Sequence, residues 1–210
     1  MRNRCVIISG SPAFSGYEPQ EGDLVIGCDA GYLHALAAGI EPTVFVGDFD
    51  SCPRAAVHTV EIVEAPSAKD DTDTMLAIKY ALQKGLRDFL LLGATGGRLD
   101  HQTANLCACA YIAEHGGTCE MRDASNTVFA IKNSRLVLEK RQHCAVSVFA
   151  FSQTAAGVDL IGLKYPLENA VLENVFPRGV SNEFAAEQAV VQVRDGLLLV
   201  ILSDTSDERR

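Results

Sequence analysis

The sequence predicts two successive domains: an α/β domain with a mostly parallel sheet, followed by an all-β antiparallel sandwich. Three observations predict it. Through the first half, short and often continuously apolar runs alternate with amphipathic stretches, the pattern of a parallel sheet covered on both faces. From about Asn126 the helical periodicity stops and only short strand-like runs remain. Charge divides at the same place: residues 1–123 carry 9 basic and 17 acidic side chains, whereas 124–210 carry 9 and 10. The expected domains are therefore 1–123 and 124–210.

In the first part, strands are expected over Cys5–Ser9, Leu24–Cys28, Thr43–Gly47, Glu61–Ala65, Phe89–Gly93 and Thr118–Arg122. Gly31–Ala38 reads as a helix that stops at Gly39. Thr72–Lys84 places Met75, Ile78, Ala81 and Leu82 on one face and stops at Gly85, a C′ glycine. His101–Glu114 is apolar nearly all round and stops at Gly116-Gly117. Strands alternating with helices imply crossover connections in one sheet. In the second part, strands are expected over Thr127–Ile131, Arg135–Glu139, Ala145–Phe151, Gly157–Leu163, Ala170–Glu173, Glu187–Val193 and Leu197–Leu202. Asp195-Gly196 between two apolar runs is a hairpin signal. The polar tail Ser203–Arg210 is expected to fray.

Composition excludes several classes. With 210 residues, 48% hydrophobic and 21% charged, the chain is not a disordered one. A net charge of −9 argues against nucleic-acid binding, which needs a basic surface. No apolar run approaches the roughly 18–20 residues that cross a bilayer. The apolar stretch after Arg2 and Arg4 is only Cys5–Ile8, too short for a secretory signal. The seven cysteines include no C-x-x-C pair, so free buried thiols in a reducing cytoplasm are expected rather than zinc or disulfides.

Four turns at expected strand ends carry chemistry. Gly47-Asp48-Phe49-Asp50-Ser51 follows a strand, where open α/β sheets bind ligands. If the segment is extended, Asp48 and Asp50 point the same way. Converging carboxylates repel unless a cation sits between them, and Mg²⁺ with phosphate oxygens is the usual solution; the bland alternative is a solvated turn. Lys69-Asp70-Asp71-Thr72-Asp73 precedes a helix. Asp71 or Thr72 can cap that helix, but capping does not account for three acids in four residues. A metal, with Lys69 facing a phosphorylated ligand, offsets their repulsion. Gly93-Ala94-Thr95-Gly96-Gly97-Arg98-Leu99-Asp100-His101 is neither a dinucleotide fingerprint nor a P-loop. Its glycines let backbone N–H groups approach phosphate, and Arg98 adds a bidentate donor. Read blandly, it is a strand–helix turn with Asp100 as N-cap. Cys28-Asp29-Ala30-Gly31 offers Asp29 as a cap or as a contact to a nucleotide sugar or base. Four strand ends delivering acidic or glycine-rich turns to one sheet edge make a site for a metal–polyphosphate.

These residues resemble the thiamine pyrophosphokinase family. The resemblance rests on Asp29-Ala30-Gly31, Gly47–Ser51, Asp70–Asp73 and Gly96–His101 with Asn105, then Gly162-Leu163-Lys164-Tyr165-Pro166-Leu167 and Val180-Ser181-Asn182-Glu183. It spans nearly the whole chain in order. Two departures are Ala30 in place of a glycine and Tyr165 where some relatives have Trp. The resemblance implies transfer of the pyrophosphoryl group of ATP to the thiamine hydroxyl, releasing AMP, with Mg²⁺, in a homodimer that holds thiamine in a cleft between subunits. It implies Asp48, Asp50, Asp70, Asp73 and Asp100 as catalytic residues, with Asp48, Asp50 and Asp73 on the metal. It implies Asp29, Gly31, Lys69, Thr72, Gly96 and Arg98 around the nucleotide. The Ser181-Asn182 turn then supplies part of the thiamine cleft, with Phe184 against the rings. The residues alone leave two rivals, a metal-dependent nucleotide phosphohydrolase and a non-catalytic nucleotide-binding regulator.

Overall fold

The computed structural model describes residues 3–58, 61–64 and 71–209, in two compact units, 1–124 and 125–210. Each is described by itself.

The first unit holds six parallel strands: β1 (Arg4–Ile8), β2 (Leu24–Cys28), β3 (Val44–Gly47), β4 (Glu61–Glu64), β5 (Asp88–Leu92) and β6 (Thr118–Arg122). Their spatial order is β6-β5-β1-β2-β3-β4. The chain lays down β1 to β4 in one direction and then returns to place β5 on the other side of β1. The carboxyl ends of β1 and β5 therefore flank a topological switch point, where such sheets open a crevice. Cys5–Ile8 and Phe89–Leu91 are fully buried, as central strands covered on both faces must be. β4 lies at the edge, where Glu61, Ile62 and Glu64 are exposed and two carboxylates discourage further pairing.

Helices α1 (Ala30–Ala37), α2 (Asp73–Gln83) and α3 (Leu99–Glu114) connect the strands. Gly31 lets α1 close on the sheet, since a Cβ there would lie 2.0 Å from the Ile8 carbonyl oxygen. Thr72 is the N-cap of α2, its hydroxyl accepting from the Met75 N–H at 3.2 Å. Gly85 ends that helix with φ +85° and donates to the Leu82 carbonyl, as its C′ assignment requires. Helix α3 buries Asn105, Ala108, Cys109 and Ile112 along one stripe. It starts two residues earlier than the pattern suggested. Its N-cap is Arg98 rather than Asp100, which lies in the first turn and suits the helix dipole there.

The second unit is a sandwich of two antiparallel sheets. Its strands are β7 (Asn126–Lys132), β8 (Arg135–Glu139), β9 (Cys144–Ala150), β10 (Thr154–Ile161), β11 (Leu167–Glu173), β12 (Gly179–Glu183), β13 (Gln188–Gln192) and β14 (Leu197–Asp204). One sheet runs β12-β9-β14-β7 and the other β11-β10-β13-β8. Val146, Val148, Leu198, Val200 and Leu202 of the first face Leu138, Val158, Leu160, Leu172 and Val191 of the second in one core.

Four expectations are corrected here. Asp195-Gly196 does not close a hairpin, because β13 and β14 belong to different sheets. Asp195 is held by Ala156, whose N–H donates to its carbonyl at 2.7 Å, and the Gly196 N–H donates to the Asn133 side chain at 2.8 Å. The turn is thus a corner between layers. Gly179–Glu183, read as a turn from its Ser and Asn, is an edge strand paired with β9, bulged between Gly179 and Asn182, with Ser181 at φ +56°. The tail is ordered further than its polarity suggested: β14 runs to Asp204 and a 3₁₀ turn covers Ser206–Arg209. The cysteines are free, but Cys107 is exposed rather than buried.

Candidate active site

The carboxyl ends of β5, β1, β2 and β3, adjacent in the sheet, surround a hollow of about 540 Å³ in the first unit. After β2, Asp29 takes a left-handed backbone (φ 42°), and its N–H donates to the Val46 carbonyl on β3. The carboxylate of Asp29 fills the place of a side chain on Gly47: a Cβ there would lie 2.2 Å from Asp29 Oδ1. That contact gives the glycine of Gly-Asp-x-Asp its physical reason.

After β3 the chain does not stay extended. Phe49 adopts φ +67°, so Asp48 and Asp50 converge through a sharp turn rather than through strand alternation. The Phe49 N–H donates to Asp29 Oδ1 at 3.3 Å, and the Asp50 N–H to Asp48 Oδ1 at 3.2 Å. Carboxylate oxygens of Asp29, Asp48 and Asp50 lie within 4.8 Å of one another. Asp29 is therefore in the carboxylate group, a position the sequence reading had not assigned it. Asp73, the first residue of α2, stands close enough to act on the Asp29 carboxyl without completing the same triad. Burial first, then Asp73, Asp50 and Asp48, push the Asp29 carboxyl up to about 7. Repulsion of this kind is relieved by a cation, and three oxygen donors at such spacing suit a hard divalent ion.

The remaining acids of the second motif divide. Asp71 is held by Lys79, whose ammonium donates to both carboxylate oxygens at 2.8 and 2.7 Å. Lys69 and Asp70 lie outside the described residues. Thr72 lines the hollow beside Asp73.

The opposite wall is the loop after β5. Gly93, Gly96 and Gly97 all have positive φ, and Asn105 on α3 donates to the Ala94 carbonyl at 2.7 Å, tying loop to helix. Arg98 grips Asp100 with two hydrogen bonds, 3.1 Å from Nε and 2.5 Å from a terminal nitrogen. That guanidinium holds the Asp100 carboxyl down to about 2. Gly96, Arg98 and His101 line the hollow; Gly31 does not, and its role is to seat α1.

One side of the hollow was missed. Ser9-Gly10-Ser11-Pro12, after β1, lines it too. The Ser9 hydroxyl meets that of Thr74 at 2.8 Å, and the Ser11 hydroxyl donates to the Thr95 carbonyl. The available signal was a glycine flanked by serines directly after the apolar run Cys5–Ile8.

The second unit carries the acceptor candidates on opposite faces of β12. Ser181 and Phe184 line a hollow of about 450 Å³ with Arg141, His143 and Thr205. Asn182 is buried and points away from it. Its Oδ1 accepts from the N–H groups of Tyr165 and Glu183, both at 2.9 Å, and its Nδ2 donates to the Tyr165 carbonyl at 2.7 Å. The Asn182 amide is thus engaged with backbone, and Tyr165 stands 60% exposed at the end of that clamp.

Comparison with known proteins identifies the family. Residues 18–119 match the family model described as the thiamin pyrophosphokinase catalytic domain, and residues 134–198 match that of the vitamin B1 binding domain. The thiamine pyrophosphokinase of Bacillus subtilis is 30% identical over 91% of this chain and 92% of its own. A crystal structure of the enzyme from that organism superposes with a TM-score of 0.86 at 28% identity, covering 96% of this chain and 99% of the other. A thiamin pyrophosphokinase family protein from Enterococcus faecalis gives 0.81 at 31% identity over 96% and 99%. This chain belongs to the thiamine pyrophosphokinase family.

Proposed function

We propose that the chain transfers the pyrophosphoryl group of ATP to the thiamine hydroxyl, giving thiamine diphosphate and AMP, with Mg²⁺ held by Asp29, Asp48 and Asp50. The observation that carries this reading is the meeting of those three carboxylates opposite a glycine-rich loop that ends in Arg98. Mg²⁺ held by these carboxylates would supply charge neutralisation at the phosphate oxygens. The protein's own part is positioning. Gly96, Gly97 and Arg98 line the hollow, where backbone N–H groups and the guanidinium would meet the phosphates, and Thr72 and Asp73 bring the N-terminus of α2 to it. Asp100 orients Arg98. Lys69 and Asp70 belong to this reading through the family motif.

Thiamine is assigned to the hollow of the second unit, its rings against Phe184 and its polar edge near Ser181. Asn182 serves by holding Tyr165. Phe184→Ala should raise the thiamine KM by an amount matching the loss of roughly 1–3 kcal/mol of apolar contact, with the ATP KM unchanged. Steady-state kinetics with each substrate varied in turn checks this, and an unmoved thiamine KM returns Phe184 to the core. The functional unit is a homodimer in the cytoplasm; light scattering should give twice the chain mass, and a fully active monomer at micromolar concentration refutes it.

The decisive assay incubates the protein with ATP, Mg²⁺ and thiamine. AMP and thiamine diphosphate are expected in equal amounts. ADP or phosphate released without thiamine makes the protein a hydrolase, and no turnover makes it a regulator.

The carboxylate group also ties stability to pH. Asp29 binds its proton more tightly when folded than its ordinary value of 3.8, so its contribution is full below about 4 and is lost as pH rises through about 7. Mg²⁺ needs the ionised carboxylates and removes their repulsion. The rise in melting temperature on adding Mg²⁺ to chelator-treated protein should be larger at pH 7.5 than at pH 5. Equal rises at both would place the ion elsewhere.

A further inference from the structure

We infer that Phe49 is a positioning residue for the metal: its ring anchors the left-handed turn that brings Asp48 and Asp50 onto Asp29. The inference rests on the proposed metal reading of those three carboxylates.

A bulky side chain at φ +67° is an outlier, because its Cβ crowds its own backbone there. Such a conformation persists only where the surroundings over-determine it, and it clusters at functional sites. The surroundings are visible. The Phe49 ring stacks on Phe45, with centroids 4.6 Å apart and planes 15° apart. Phe45 is fully buried on β3 and makes an edge contact with buried Tyr32, 5.7 Å between centroids. The guanidinium of Arg54 lies 4.8 Å from the Phe49 centroid. The ring therefore belongs to a small core of Tyr32, Phe45 and Cys52.

The backbone of the same residue faces the other way. Its N–H donates to Asp29 Oδ1. Its neighbours Asp48, Asp50 and Ser51 line the hollow while Phe49 does not. One residue thus joins a packed ring to a polar turn. With the ring seated, the backbone is held where two carboxylates meet a third despite their mutual repulsion. Without it, Asp48 and Asp50 are free to swing apart, as like charges prefer. The ring's second consequence is exclusion: stacked on Phe45 and capped by Arg54, it is not offered to a nucleotide base.

Glycine separates this role from a merely structural one. Phe49→Gly removes the ring but relieves the left-handed strain, so its two effects on stability oppose each other. The turn becomes permitted but no longer enforced.

The test is a titration of the full-length protein with Mn²⁺ alone, free ion being read by electron paramagnetic resonance, alongside thermal melts. Phe49→Gly should weaken Mn²⁺ binding by about 10- to 100-fold, the range for residues that orient metal ligands. Phe49→Tyr, which keeps the ring, should stay within about twofold of the parent. Asp48→Asn is the control for the metal reading. If Asp48→Asn weakens Mn²⁺ binding and a folded Phe49→Gly does not, the anchor role is overturned and the metal site stands. If neither variant changes Mn²⁺ binding, both are overturned. Should Phe49→Gly fail to fold, Phe49→Asn tolerates the same backbone and lacks the ring, and unchanged binding there overturns the anchor equally.

Discussion

Asp48→Asn should lower kcat by about 10²- to 10³-fold, the usual cost of losing one group that stabilises transition-state charge. The fold should survive. Asp48 is half-exposed at a strand end, and the substitution removes one of the charges that repel Asp29. The melting temperature of metal-free protein is therefore expected to hold or rise, since relief of like-charge crowding is stabilising. Activity and stability moving apart in this way marks a functional carboxylate. Near-normal kcat with unchanged Mg²⁺ dependence would take Asp48 off the metal.

Gly31→Ala should have the opposite profile, a loss of fold before any question of catalysis. The added Cβ would lie 2.0 Å from the Ile8 oxygen, 2.7 Å from the Ile8 carbonyl carbon and 2.8 Å from that of Ser9. All three are backbone atoms of the central strand and the loop after it, so no side-chain rotation relieves the clash. Either α1 moves off the sheet or β1 bends, at a cost of about 3 kcal/mol or more. Gly97→Ala makes the comparison. Nothing lies within 4 Å of a Cβ there, and only its left-handed φ of +72° counts, about 1–2 kcal/mol. Urea denaturation of both variants decides: a smaller loss for Gly31→Ala than for Gly97→Ala would refute the packing account.

The first unit was legible because its strands are continuously apolar and its helices are bracketed by Gly39, Gly85 and Gly116. Periodicity and punctuation suffice when tertiary context agrees with them. The site was legible as a set of strand ends, since a parallel sheet brings those ends to one edge. Its internal geometry was not. Asp48 and Asp50 share a side because Phe49 breaks the extended backbone, and that depends on Phe45 beneath it, which no local pattern announces. Asp29 joined the carboxylates through the gap left by Gly47, a contact between residues 18 apart. In the second unit, Ser181 and Asn182 have turn chemistry yet sit in an edge strand, because a bulge absorbs the positive φ. Asp195-Gly196 misled for a related reason: a two-residue turn signal says that the chain reverses, not which sheet receives it.

The central place of β1 governs how the first unit must assemble. Arg4 pairs in register with Asp88, 84 residues later in the chain, while Cys5 pairs with Leu24 on the other side. One flank of the most apolar strand can close early; the other waits for a partner beyond two helices and three further strands. Closing such a loop precedes any reward from the contacts it permits, so folding of this half is expected to be slow for its size. Until β5 arrives, Cys5–Ile8 offers an unpaired apolar edge, the kind of surface on which nascent chains join one another. The strand that carries Ser9 and Ser11 to the candidate active site is thus also the one most in need of protection during synthesis.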